Sequence, residues 1–178
     1  CGQITDGGAC VILASEKAAR EHAARQGLAL ADIPRIKGWG HRSAPILLER
    51  KLQLSAGQPL LFPHIRAMME DALRRGGFQQ ITDLDGLETH DCFSVTEYMA
   101  IDHSGLTAPG ESWKAVTEGR ITRDGDFPIN PSGGLIGLAR QVTGRAGGYQ
   151  LPRAENMATF NLGGSATTCV SLIVGVGT

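Results

Sequence analysis

The first part of the chain carries two apolar runs separated by an alanine-rich segment. The run at residues 8–14 is continuous and contains β-branched side chains, which is typical of a central strand covered on both faces. Residues 16–26 favour a helix, because alanine is the best helix former, Ser15 can cap the start and Gly27 can end the helix in the left-handed conformation. A second strand is expected at residues 33–39.

Glycine and proline break up the following region, and helical periodicity resumes at residues 64–75. A short strand within residues 84–93 then leads into a turn. The sequence Ser94-Val-Thr-Glu97 has the form of a capping box, which predicts that a helix begins there. Gly105 is placed to end that helix.

The last third of the chain consists of a long loop followed by two apolar segments. Residues 106–134 are loop-like, with one short helix expected at residues 111–118. Residues 156–162 and 167–174 have the pattern of two strands joined by a tight turn. The order of elements predicts a layered α/β fold in which an antiparallel strand pair closes the sheet.

Composition narrows the class of protein further. Of the residues, 42% are hydrophobic and 20% are charged, and 17 basic residues balance 18 acidic ones. This balance argues against a disordered tail and against nucleic acid as a partner, and no apolar run approaches the ~20 residues of a membrane span. The cysteines at positions 1, 10, 92 and 169 form no CxxC pair, so we expect no metal site and a reducing, cytoplasmic setting.

The residues His90, Asp91 and Cys92 are consecutive at the end of a predicted strand and just before a predicted helix. Ligand sites of α/β sheets lie at such strand ends, and the start of a helix favours an anion. A histidine and a thiol there can stabilise a developing oxyanion and transfer a proton. A packed structural turn, with Cys92 as a small buried side chain, is the alternative, and the residues alone leave it open.

Two glycine loops are further candidates, namely Asn130-Pro-Ser-Gly-Gly134 and Asn161-Leu-Gly-Gly-Ser165. Glycine lets the backbone approach a ligand and expose N–H groups, although a Gly pair makes plain turns equally well. Among the other histidines, His64 lies in a helical pattern and is expected to be solvated, and His103 is not expected to have a functional role.

Four motifs occur in the order seen in the C-terminal half of thiolases of the sterol-carrier-protein-x type. They are Thr5-Asp6-Gly7-Gly8-Ala9, Glu88-Thr-His-Asp-Cys-Phe93, Asn130-Pro-Ser-Gly-Gly-Leu-Ile136 and Asn161-Leu-Gly-Gly164. The resemblance implies a thiolase-like α-β-α half with a mixed five-stranded sheet over residues 1–178. It also implies that the N-terminal half, with the nucleophilic cysteine, is absent from this chain.

The resemblance further implies an acyl-CoA thiolase, or acetyl-CoA acetyltransferase, with coenzyme A or acyl-CoA as substrate and no covalently bound cofactor. His90 would help build an oxyanion hole and Cys92 would be the acid/base thiol. Substrate contacts would come from Phe93, Gly133, Gly134, Asn161, Gly163 and Gly164. A homodimer or higher oligomer, an OB-fold partner protein, and a cytoplasmic location (peroxisomal in a eukaryote) are also implied. The alternatives are a thiolase-like retro-aldol lyase and a non-catalytic scaffold that binds acyl-CoA or a partner.

The sequence departs from the family pattern after Ile136. The family continues with Gly-His-Pro, a second glycine turn and a helix, whereas here Gly137-Leu138 leads directly into a segment resembling the end of that helix. The stretch is short by about 15 residues, roughly one loop and a mean helix. No residue therefore matches the family's catalytic histidine of that loop, and we expect the natural molecule to contain the missing residues.

Overall fold

The computed structural model describes residues 7–177, so Cys1, Thr5 and Asp6 lie outside the described part. The helices are α1 (Glu16–Gln26), α2 (Leu48–Ser55), α3 (Pro63–Gly76), α4 (Ser94–Ser104), α5 (Ser112–Thr117) and α6 (Gly134–Val142). The strands are β1 (Arg35–Ser43), β2 (Leu87–Thr89), β3 (Asn156–Gly163) and β4 (Thr168–Gly175).

The strands form one mixed sheet in the order β1-β4-β3-β2. Strand β4 runs antiparallel to β1 and to β3, and β2 runs parallel to β3. Beyond β2, Leu87 forms an isolated parallel bridge with Ile129. The mixed α/β class is confirmed, but within residues 7–177 the sheet has four strands rather than the expected five.

Helices cover both faces of the sheet, which gives the expected α-β-α layers. On one face, α3 packs against β1 and β4, and Met68, Ala72 and Ile173 belong to the larger core. On the other face, α6 contacts β3 and β4, and Leu138 packs near Val174 in a smaller core. The neighbours Ile173 and Val174 thus point to opposite faces, as alternation along a strand requires.

Helix α3 lies directly on the backbone of β1 because two strand positions lack side chains. A Cβ atom at Gly38 would collide with the carbonyl oxygen of Ala72, and one at Gly40 would collide with that of Met68. This close approach brings the start of α3 beside the ends of β3 and β4, where the candidate site lies.

The prediction of a buried strand at residues 8–14 is wrong. The segment forms no strand, and Val11, Ile12 and Leu13 are 48, 87 and 74% exposed. A continuous apolar run becomes a buried strand only when a sheet pairs with it and layers cover both faces. No strand of the described chain pairs with this segment.

The other elements were predicted with differing accuracy. Helix α1 has both expected caps, since Ser15 Oγ accepts the Ala18 N–H and Gly27 is left-handed at φ +66°. Strand β1 begins two residues later than predicted and extends to Ser43. The expected capping box is wrong, because Phe93 occupies the N-cap position of α4 without a side-chain bond.

Two helices differ from the sequence-based expectations. Helix α2 was missed, since glycine and proline flank Leu48–Ser55 but do not interrupt it. Helix α6 begins at Gly134 and has nine residues, so the segment directly after the glycine loop forms a helix that covers the sheet. No helix in the described part of the chain is both long and apolar enough to cross a membrane.

Candidate functional site

The His90-Asp-Cys-Phe93 segment connects the carboxyl end of β2 to the start of α4. Two hydrogen bonds hold this connection in place. The His90 N–H donates to the Phe160 carbonyl of β3 at 3.0 Å, and the N–H of the preceding residue, Thr89, donates to Asn130 Oδ1 at 2.7 Å. The segment is therefore held by the end of β3 and by the loop that follows Ile129.

A cavity of about 470 Å³ lies beside this connection. It is bounded by α2, the start of α3, α4 and the turn between β3 and β4. Its apolar walls come from Ile46, Leu48, Phe62, Ile65, Met99, Ala100, Phe160, Leu162 and Ala166, and its polar side chains are Lys51, His90, Cys92, Thr96, His103 and Ser165. A largely apolar cavity with a few convergent polar groups is the usual form of a small-molecule site.

Cys92 presents a half-buried thiol to this cavity. Its Sγ lies 3.7 Å from Thr96 Oγ1, and either atom can be the donor. Thr96 belongs to the first turn of α4, so the thiol sits at the helix start, where the N-terminal N–H groups favour negative charge. The arrangement suits a group that gives and takes a proton.

His103 is a buried cavity residue with a fixed tautomer. Its Nδ1 donates to the Met99 carbonyl at 2.7 Å, and its Nε2 accepts the Phe62 N–H at 3.1 Å. Burial lowers the pKa of His103, and the Met99 carbonyl and the Asp102 carboxylate oppose that shift only in part. The ring is thus neutral in the folded protein and ties α4 to the start of α3.

The two glycine loops lie in different surroundings. Gly163 and Gly164 line the cavity together with His90 and Cys92. By contrast, the N–H groups of Gly133 and Gly134 donate to the carboxylate of buried Glu88 at 2.9 and 3.0 Å. Gly133 lines a separate depression of about 270 Å³ near Arg140.

The structure therefore brings together four of the residues singled out from the sequence, His90, Cys92, Gly163 and Gly164. Four others, Phe93, Gly133, Gly134 and Asn161, are not among the lining residues of the cavity. Phe93 is 57% exposed at the start of α4, and Asn161 is an exposed residue of β3.

Sequence reasoning missed three residues that shape the cavity, namely Lys51, His64 and His103. Lys51 is buried and donates to the Ser165 carbonyl at 2.7 Å. His64 was expected to be solvated, yet it is half-buried and its Nε2 bonds to the Ala166 carbonyl at 2.8 Å. Periodicity places His64 on the predicted helix at residues 64–75, whereas the helix that carries Lys51 was missed, and no local sequence signal indicates the distant partners of either residue.

The chain matches the family model "Thiolase C-terminal domain-like" over residues 49–176. It is 32% identical to an acetyl-CoA acetyltransferase of Methanothermobacter thermautotrophicus over 186 residues, covering 94% of this chain and 44% of that protein. It is 30% identical to human sterol carrier protein 2 over 187 residues, covering 97% of this chain and 33% of that protein. The chain thus spans less than half the length of these curated relatives.

Two solved structures share the fold. One is described as an Ltp2-ChsH2(DUF35) aldolase, with a TM-score of 0.64 and 18% identity, and it covers 79% of this chain and 39% of that chain. The other is a monomeric SCP2-thiolase like protein type 1 from Mycobacterium smegmatis, with a TM-score of 0.58 and 17% identity, covering 89% and 32%. The match over residues 49–176 shows that the chain belongs to the thiolase superfamily as a C-terminal-half domain, and the two solved structures share its fold.

Proposed function

We propose that this chain supplies the proton-transfer half of an acyl-CoA thiolase, or acetyl-CoA acetyltransferase, site. The observation that carries the proposal is the position of Cys92 and His90 in one mostly apolar cavity, at the end of β2 and the start of α4. Membership of the thiolase superfamily supports acyl-CoA as the class of substrate.

In this proposal Cys92 moves the proton at the α-carbon of the acyl group. Carbon–carbon cleavage leaves an enolate on the shorter acyl-CoA, and the Cys92 thiol protonates it; in the synthetic direction the thiolate removes the same proton. His90 donates a hydrogen bond to the oxygen on which negative charge develops. Gly163 and Gly164 form a wall without side chains, which lets a thioester approach the backbone.

The covalent acyl-cysteine needs a second thiol, and the described residues of this chain do not offer one at the cavity. Of the cysteines at positions 10, 92 and 169, only Cys92 lines it. Cys169 is buried in the core, and burial raises the pKa of its thiol. We therefore propose that the nucleophilic cysteine belongs to a part of the protein outside residues 7–177.

The proposal extends to substrate contacts outside the cavity, to a protein partner and to the location of the protein. Phe93, Gly133, Gly134 and Asn161 would contact the coenzyme A part of the substrate outside the cavity, which itself holds the acyl group. Exposed apolar side chains on α2 and at the start of α4, among them Leu48, Leu52, Leu54, Phe93 and Val95, support a partner, either a second copy of the protein or an OB-fold protein. The proposed location is the cytoplasm, or the peroxisome in a eukaryote.

A thiolase-like retro-aldol lyase is the second candidate. It is favoured by the presence of one thiol rather than two at the described cavity, because retro-aldol cleavage needs no acyl-cysteine. The description of one structural neighbour as an aldolase is in keeping with such chemistry on this fold. A non-catalytic scaffold that binds acyl-CoA is the third.

The test is Cys92→Ala in the full-length protein, with Cys10→Ala as the matched control because Cys10 is exposed and lies outside the cavity. We expect Cys92→Ala to lower kcat, and the exchange of α-protons of acetyl-CoA with deuterated water, by about 10²-fold or more. Cys10→Ala should change neither. Unchanged exchange in Cys92→Ala would remove the proposed role.

The same assay separates the candidate reactions. A thiolase requires free coenzyme A for cleavage and forms an acyl-enzyme that mass spectrometry detects after acid quench. A retro-aldol lyase cleaves a β-hydroxyacyl-CoA without added coenzyme A and forms no acyl-enzyme. Binding of acyl-CoA with neither reaction would identify the scaffold.

A further inference from the structure

We propose that Lys51 is a positioning residue, which fixes one wall of the cavity by holding a strained backbone turn. The turn joins β3 to β4. Gly164, Ser165 and Ala166 are successive residues in the left-handed region, with φ of +57°, +56° and +62°. Serine and alanine adopt this conformation only against a steric cost, so the surrounding structure must hold them there.

Lys51 provides hydrogen bonds that hold this turn. Its ammonium donates to the Ser165 carbonyl at 2.7 Å, to Thr167 Oγ1 at 3.1 Å and to the Ile46 carbonyl at 3.2 Å. The side chain is 3% exposed, and all three of its N–H donors are used. The ammonium is thus a fixed cross-link between two segments that are far apart in the sequence.

Two further bonds hold the same turn. His64 Nε2 bonds to the Ala166 carbonyl at 2.8 Å, and the Ala44 N–H donates to the Thr167 carbonyl at 2.8 Å. No carboxylate lies within 4.0 Å of the Lys51 ammonium in the described part of the chain, so oxygen dipoles alone stabilise its charge. A buried ammonium without a carboxylate is costly, which points to a role beyond stability.

The cross-linked segments are both walls of the cavity. Ile46 lines it from the α2 side, and Gly163 through Ala166 line it from the β3–β4 side, where they face the same space as Cys92. Lys51 therefore sets the separation of these two walls. We infer that it controls the placement of the thioester relative to the Cys92 thiol and the length of acyl chain that fits.

This inference rests on the proposed function for its kinetic readout, but it also has a structural readout. The experiment compares Lys51→Met with Lys17→Met, an exposed control on α1, in the full-length protein. We expect Lys51→Met to lower kcat by about 10- to 100-fold while KM for a short acyl-CoA changes little, because a displaced wall misplaces the reacting atoms. Hydrogen exchange of the Thr167 and Ala44 amides should become faster, and Lys17→Met should change none of these.

A second substitution separates positioning from general packing. Ser165 is exposed, and glycine adopts φ of +56° without strain, so Ser165→Gly lets the turn keep its shape with less restraint. We expect Ser165→Gly to restore part of kcat and of the amide protection in the Lys51→Met background. If Lys51→Met does not fold, His64→Ala replaces it in the same experiment, because it removes the hydrogen bond of His64 to the Ala166 carbonyl in this turn.

Wild-type kcat in Lys51→Met, or lost kcat that Ser165→Gly does not restore, overturns the inference. If no version of the protein, wild type included, acts on acyl-CoA, the proposed function fails separately. In that case, faster exchange of the Thr167 and Ala44 amides in Lys51→Met, reversed by Ser165→Gly, still supports the restraint of the β3–β4 turn by Lys51. Unchanged exchange of these amides overturns it.

Discussion

The loops Asn130-Pro-Ser-Gly-Gly134 and Asn161-Leu-Gly-Gly164 look alike in the sequence, since each follows an asparagine with a Gly pair. Their neighbours differ in charge. The carboxylate of Glu88 accepts the N–H groups of Ser132, Gly133 and Gly134 at 2.9 to 3.0 Å and the Ser132 hydroxyl at 2.8 Å. At the second loop, the Lys51 ammonium instead donates to a carbonyl and a hydroxyl.

The difference decides which backbone groups remain for a ligand. The Glu88 carboxylate accepts the hydrogen bonds of the N–H donors in the first loop. It thereby stabilises the start of α6, because a negative charge is favourable at a helix N-terminus. Lys51 uses an acceptor of the second loop, and the N–H groups of Ser165 and Ala166 have no acceptor in residues 7–177. The N–H groups of Gly133 and Gly134 are thus occupied by Glu88, whereas those of Ser165 and Ala166 stay available beside the cavity in the described part of the chain.

The largest expected effect comes from removing the anionic partner. Glu88 is 2% exposed, and Glu88→Gln would replace one accepting oxygen by an NH₂ group facing N–H donors. We expect a loss of about 2–4 kcal/mol in the free energy of unfolding, measured by urea denaturation. Glu70→Gln, at an exposed position of α3, is the control and should be neutral. A change in Glu88→Gln as small as that of the control would show that the first loop does not depend on its carboxylate.

A fall in pH should weaken the support of the second loop more than that of the first. His103 supports the second loop through Phe62, which packs beside His64, and burial lowers the pKa of His103. Below its unfolded pKa of about 6.5, the unfolded chain binds a proton that the folded chain does not, so stability is lost as pH falls. The slope for one proton is at most about 1.4 kcal/mol per pH unit.

The measurement is the free energy of unfolding between pH 7.5 and 5.5, compared with His103→Gln. The groups around His103 include Asp102, which opposes the shift, and Arg66 and His64, which add to it. We expect a smaller fall in His103→Gln than in the wild type, and no change of slope in His41→Gln, an exposed control. Equal slopes in all three proteins would exclude His103 as the group responsible.

The parts of the fold that could be predicted are those whose signals are local. The caps and alanines of α1 and the tight turn between β3 and β4 depend on neighbours a few residues away. Segment 8–14 could not be placed correctly. A continuous apolar run predicts a buried strand whether or not a neighbouring strand is available to pair with it.

The same division applies to the candidate site. His90 and Cys92 could be singled out since their context, a strand end followed by a helix, is readable from the sequence, although their chemical roles stay a prediction. The contribution of Lys51 could not be found, because its partner Ser165 is 114 positions away. The distinction between the two glycine loops likewise depends on Glu88 and Lys51, which are set opposite them only by the tertiary fold.

The two loops also differ at their left-handed residues, Asn130 and Ser165, where substitutions should have the smallest effects. Asn130 has φ of +55° and its Oδ1 accepts the Thr89 N–H at 2.7 Å, whereas Ser165 has φ of +56° and no described side-chain bond. Glycine removes the strain at both positions, but at position 130 it also leaves a backbone donor of β2 without its acceptor. We therefore expect Asn130→Gly to lower the free energy of unfolding by about 1 kcal/mol and Ser165→Gly to leave it equal or raise it by up to about 1 kcal/mol. Thermal and urea unfolding of the two variants, measured side by side, give these changes. A change in the free energy of unfolding with the same sign in both variants would mean that the side-chain hydrogen bond of Asn130 does not distinguish the two loops.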